Sequence, residues 1–145
     1  MKKRKPITNP GASIRAKLYN IARETERDFD SLLLQYFQER FLYRLSISKF
    51  RRNFILKGAL LLLAYKMPLL RPTKDIDFLL RSIPNNQEKI KGIIGQVASI
   101  DAMDGVSFVI ESISAESIIE NADYGGIRVK IEAMLDNARR CCNWI

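Results

Sequence analysis

The sequence predicts a mixed α/β (α+β) domain, a sheet with helices packed on it and further helices in front. Three observations carry this. The first third repeats apolar residues at helical spacing. From residue 51 onward, strand-like and helix-like runs alternate. Hydrophobic residues make up 47% of the 145, enough to bury a core.

Residues 1–12 read as irregular. Ser13 is a candidate N-cap, after which Ile14, Leu18, Ile21 and Ala22 fall on one helical face. A second helix is expected from Phe29 to about Leu45, with Phe29, Leu32, Leu33, Tyr36, Phe37 and Phe41 apolar and Arg40 and Arg44 on other faces. Its aromatic residues read as core, because a base-stacking platform needs exposed rings. Ser46 to Asn53 is polar and basic, a connection. The division that follows is a helical segment over 1–50 and an α/β core over 51–145.

In the core, Phe54-Ile55-Leu56 is a candidate buried strand. After Gly58, the Leu- and Ala-rich run from Ala59 to Lys66 reads as a buried helix, which Pro68 stops. Pro72 disfavours helix at Arg71 and begins an extended segment, and Asp75 to Leu80 reads as a strand. Pro84-Asn85-Asn86 is a turn, Gln87 to Ile100 a helix and Val106 to Ile110 a strand. Ala115 to Ile119 is expected as a short helix, Gly125-Gly126 as a break and Ile127 to Leu135 as a strand before a turn at Asp136-Asn137. Asp101 and Asp104 read as loop residues.

Composition removes several kinds of chemistry. The chain has no histidine, so Ser-His and Cys-His nucleophile pairs are absent. Its two cysteines, Cys141 and Cys142, are adjacent and close no useful loop, and they offer no zinc framework. The run from Ala59 to Tyr65 is too short to span a membrane, and Pro6, Asn9, Pro10 and Gly11 interrupt any secretory signal. A cytoplasmic location is therefore expected. The net charge of +8 favours nucleic acids and nucleotides, and equally describes a merely solvated basic surface. Chemistry is left to carboxylates, lysines or metals.

The chemistry-bearing stretch is Lys57-Gly58-Ala59, one helix, then Arg71-Pro72-Thr73-Lys74-Asp75-Ile76-Asp77-Phe78. Residues two apart on a strand share a face, so Asp75 and Asp77 would point one way and Ile76 and Phe78 the other. Two adjacent carboxylates repel unless a cation lies between them, and magnesium suits carboxylate and phosphate oxygens. Gly58 at a strand-to-helix junction lets a phosphate approach the backbone and the helix N–H groups. Arg71 and Thr73 flank the acidic pair as candidate phosphate contacts. A lone Asp-x-Asp is common; combined with the glycine at this spacing it is far more specific. Arg128, Lys130 and Glu132 alternate with Val129, Ile131 and Ala133, so their side of the strand faces either a site, with Lys130 on a nucleotide phosphate, or solvent.

These residues resemble the AbiEii-type nucleotidyltransferase toxins of bacterial abortive-infection, type IV toxin–antitoxin systems. The matching stretches are Asn9-Pro10-Gly11-Ala12-Ser13-Ile14-Arg15, Tyr36 to Leu45, Phe54-Ile55-Leu56-Lys57-Gly58-Ala59-Leu60, Arg71 to Phe78 and Tyr124-Gly125-Gly126-Ile127-Arg128-Val129-Lys130. The resemblance implies a polymerase-β-like nucleotidyltransferase core, partial over 51–145. It implies that Asp75 and Asp77 bind Mg2+ and act catalytically, with Gly58 and Ala59 at the triphosphate. It further implies transfer of a nucleoside monophosphate from an NTP to an RNA, in some members tRNA, or to a protein, and neutralisation by a cognate antitoxin. Family members continue after the strand at Ile127–Leu135 into a neighbouring strand with a third acidic residue and a helical half. Here Asp136-Asn137-Ala138 leads to Arg139-Arg140-Cys141-Cys142-Asn143-Trp144-Ile145, without an aspartate. The expectation is thus a family member cut short. Two rivals stand beside an active enzyme: a non-catalytic module binding nucleotide, RNA or antitoxin, and a remnant with Ile127–Leu135 as an unpaired edge.

Overall fold

The computed structural model describes residues 9–65, 73–121 and 124–144. Two helices come first. α1 (Pro10–Glu24) is capped by Asn9, whose side chain accepts from the Ala12 N–H at 3.0 Å. Pro10 then fills the first helical position, where no N–H is needed, so the helix starts earlier than Ser13 suggested. α2 (Phe29–Ile47) is capped by Asp28, which accepts from the Ser31 N–H at 2.8 Å and from its hydroxyl. Those hydrogen bonds hold the Asp28 carboxyl below the usual aspartate range.

The core follows as β1 (Phe54–Lys57), α3 (Gly58–Ala64), β2 (Asp75–Leu80), α4 (Gln87–Ala98), β3 (Val106–Asn121), β4 (Tyr124–Leu135) and β5 (Ala138–Trp144). The expected stop at Pro68 and the bend at Pro72 lie outside the described residues. The five strands form one mixed sheet in the order β1-β2-β5-β4-β3. β2 and β5 run parallel; every other neighbouring pair is antiparallel.

Three sequence expectations need correction. Ala115 to Ile119 is not a helix but part of β3, laddered on β4 from Ser114 opposite Lys130 to Ile119 opposite Gly125. Its helix-favouring composition yields to the backbone partners that β4 supplies. The ladder shifts register between Val109 and Ser114, where the Ser112 hydroxyl donates to the Val109 carbonyl and accepts from the Glu132 N–H. Gly125-Gly126 likewise lies inside β4, and a Cβ on Gly126 would come within 3.2 Å of Ile118. Finally, Ile127–Leu135 is no free edge. The chain turns at Asp136-Asn137, Asp136 taking φ +55°, and β5 returns along β4 as far as Trp144 opposite Val129.

One sheet face carries the core. Trp144 stacks on Phe41 of α2 with ring centroids 4.1 Å apart, and Phe108 meets Phe41 edge-on at 5.9 Å. α4 contributes Ile90, Ile93, Ile94 and Val97 to the same buried cluster. The reading of Phe37 and Phe41 as core holds, since both are fully buried. The placement of Arg44 and Asp104 does not. Arg44 is 2% exposed and forms a forked pair with Asp104 at 2.8 and 3.0 Å, while its Nε donates to the Ile100 carbonyl. The loop before β3 is thereby pinned to α2. A second tie joins β5 to the start of α2 through the Arg140–Asp30 ion pair. No helix among the described residues is long and apolar enough to cross a membrane.

Candidate functional site

The face of the sheet opposite the core is built by strand alternation. Ile76 and Phe78 are buried on the core side of β2, and Asp75 and Asp77 point together to the other side, each partly exposed. The next strands extend this row. Asp75 is in register with Asn143 of β5, and Asn143 with Lys130 of β4. At about 4.8 Å per strand, Lys130 stands roughly 10 Å across the sheet from Asp75. On the other side of β2, Lys57 lies opposite Asp77 in the β1 ladder.

Gly58 brings α3 to this row. It is the first residue of α3, it adopts φ +72°, and a Cβ built on it would sit 2.2 Å from Oδ2 of Asp77. Only glycine fits both that backbone conformation and that contact. The Gly58–Asp77 approach is the closest meeting of the two halves of the sequence motif.

The start of β2 is held from behind. The Thr73 hydroxyl donates to the Asp75 carbonyl at 3.0 Å, and buried Gln38 of α2 donates to the Thr73 carbonyl at 3.4 Å. Thr73 therefore braces the strand that carries the pair. Arg71 lies outside the described residues. Ala59 is the second residue of α3, and its side chain lies outside them too.

Basic side chains surround the carboxylates. Lys130 Nζ is 3.5 Å from Glu116, Arg128 reaches the same Glu116 at 3.7 Å, and Arg139 meets Glu132 at 3.2 Å. These half-exposed pairs are weak and leave the cations able to exchange partners. The alternation of Arg128, Lys130 and Glu132 thus belongs to the face that carries Asp75 and Asp77, with Val129, Ile131 and Ala133 in the core.

Asn143 is the site residue that sequence reasoning passed over. Its Oδ1 is buried and accepts no hydrogen bond, a costly state for an amide oxygen unless a ligand satisfies it. The turn at Asp136-Asn137 was the available signal that a paired strand would follow. Among the described residues, no three Asp, Glu, Cys or His side chains gather in a metal-holding group. The oxygen donors beside one another here are two carboxylates and one amide.

No curated protein matches this chain. The family model for the nucleotidyl transferase AbiEii toxin of type IV toxin–antitoxin systems matches residues 40–141. That span takes in α2's second half, the Gly58–Asp77 contact and most of β5, and the chain belongs to the AbiEii nucleotidyl transferase toxin family.

Proposed function

We propose that this chain is a magnesium-dependent nucleotidyltransferase toxin acting on an NTP and an RNA acceptor, with tRNA the first to test. The observation that carries the reading is the approach of Gly58 to Asp77, beside a second carboxylate on the same sheet face. Asp75 and Asp77, with the amide oxygen of Asn143, are hard oxygen donors of the kind Mg2+ takes. When bound, the cation would polarise the phosphate oxygens and neutralise charge on the departing pyrophosphate. An acceptor hydroxyl forms the new bond to the α-phosphorus, and the bond to pyrophosphate breaks. Gly58 leaves its backbone open to a phosphate, Lys57 and Lys130 supply charge on either side, and Arg71 and Thr73 flank the pair in sequence. A cognate antitoxin is the partner that a type IV system calls for, and a cytoplasmic site of action suits an NTP-using enzyme.

The second reading is a module that binds nucleotide, RNA or antitoxin without turnover. It is favoured by the amide at position 143, where a carboxylate would make a stronger cation site. The experiment measures incorporation of labelled nucleotide, from each of the four triphosphates, into total tRNA with magnesium. Transfer that disappears in Asp75→Ala supports the enzyme. Magnesium-dependent triphosphate binding without transfer, lost in Asp75→Asn/Asp77→Asn, supports the module. Equal triphosphate affinity in wild type and double variant sinks both readings.

A further inference from the structure

β5 lies between β2 and β4 but is outreached by both. Trp144 is in register with Ile76 on one side and Val129 on the other. Beyond that level β2 continues to Leu80 and β4 extends back to Tyr124. Among the described residues, Phe78, Leu79 and Leu80 have ladder partners only in β1, and Gly125 to Ile127 only in β3. Two backbone edges therefore face each other across the width of one strand, roughly 10 Å.

The space between them opens on the core side into a cavity of about 340 Å³, lined by Phe54, Phe78, Ile90, Ile94, Ile127 and Trp144. Its far end is closed by Asn85, whose side-chain amide donates to the Gly125 carbonyl at 3.3 Å. Trp144 is 2% exposed, and its Nε1–H finds no acceptor. A compact ligand would fill the cavity but leave the two edges unsatisfied. A strand satisfies both, because buried backbone groups require partners.

We infer that this slot is a docking site for one extended peptide strand from a partner protein, running parallel to β2 and antiparallel to β4. The β5 register fixes the pattern. An incoming residue opposite Phe78 and Ile127 points into the cavity, the next lies outward beside Leu79 and Gly126, and the one opposite Leu80 and Gly125 points inward again. Apolar side chains are required at the two inward positions, and main-chain hydrogen bonds supply the rest of the affinity. The chain's net charge of +8 and Lys57 on the rim select a neutral or acidic segment. The inference stands apart from the transfer reaction, whose residues lie on the opposite sheet face.

The probe is a short acetylated peptide with valine at alternate positions and threonine or glutamate between them, added to the full chain. Trp144 is the single tryptophan, so its emission reports the slot directly. The expected result is a saturable emission change, with about tenfold slower hydrogen exchange at alternate amides of Phe78–Leu80 and Gly125–Ile127. The same peptide N-methylated on its backbone should do neither. The inference is overturned by no saturable change at millimolar peptide, or by undiminished binding of the N-methylated form. It is also overturned if those amides are as protected as Ile131 and Ala133 in the protein alone. Concentration-dependent dimerisation that confers the same protection would assign the slot to a second copy instead, and likewise overturn it.

Discussion

Gly58 and Asp77 meet so closely that a single added carbon on Gly58 would lie 2.2 Å from the Asp77 carboxylate. Nothing larger than glycine leaves that carboxylate where it is. Gly58→Ala therefore has two expected consequences. The methyl group meets a positive φ of +72°, a strain of about 1–3 kcal/mol, and it also drives Asp77 aside. Thermal unfolding should show the loss of stability, and titration with magnesium and triphosphate should show the loss of coupled binding. A variant that unfolds like wild type and binds both normally would mean that Gly58 does not shape the site.

The buried pair of Arg44 and Asp104 gives a purely structural prediction. Arg44→Ala leaves the Asp104 carboxylate buried without its forked partner and frees the loop carbonyls of Ile100 and Val106. Removing one member of such a pair costs about 3–5 kcal/mol. Chemical denaturation should read this as a lower midpoint. A smaller loss, below about 1 kcal/mol, would place the pair in a more hydrated setting than its 2% and 7% exposures indicate.

What the sequence revealed and what it hid divide along physical lines. Asp75–Leu80 was legible to the residue, because alternation of Asp with Ile and Phe leaves one assignment of faces. The sharing of a face by Asp75 and Asp77 follows from the same period. β5 was not legible. Arg139-Arg140-Cys141-Cys142 places like residues side by side, and only Ala138, Cys142 and Trp144 mark the inward face. The strand exists because β2 and β4 offer it backbone partners, a non-local cause. β3 was cut short in the reading because Ser112 and Ser114 resemble a loop, whereas Ser112 in fact stitches a register shift. The Arg44–Asp104 pair joins residues far apart in sequence, which no local pattern can announce. Gly58 was placed correctly at a strand-to-helix junction, but its reason, room for Asp77, needed coordinates.

The adjacent cysteines should behave as opposites. Cys141 is exposed, whereas burial pushes the Cys142 thiol up from 9.0 to about 12. A thiol reagent at pH 8 should label Cys141 quickly and Cys142 only after denaturation. The linkage sign follows from the raised value. Between pH 9 and about 12 the unfolded chain loses the Cys142 proton while the folded chain keeps it, so stability falls as pH rises through that window. Cys142→Ala should flatten that part of the stability profile. Equal labelling rates for both thiols in the native protein would show that β5 opens readily.

Asn143 is the residue whose change is most informative about the site. It stands beside Asp75 on the neighbouring parallel strand, with Oδ1 buried and accepting no hydrogen bond. Asn143→Asp places a third carboxylate on the row. Without a divalent cation the added charge should repel Asp75 and lower the melting temperature. With magnesium the order should reverse, because a ligand that binds only the folded state raises its stability in proportion to affinity. A tenfold gain in affinity corresponds to about 1.4 kcal/mol of further stabilisation when the cation is in excess. Asn143→Leu removes the oxygen and should shrink the magnesium-dependent shift below that of wild type. The measurement is melting temperature against magnesium concentration for all three proteins, with nucleotide transfer followed in parallel. Identical magnesium responses in wild type, Asn143→Asp and Asn143→Leu would remove Asn143 from the cation site. A larger response in Asn143→Asp, lost when Asp75 is also changed to Asn, would tie the two neighbouring strands to one bound ion.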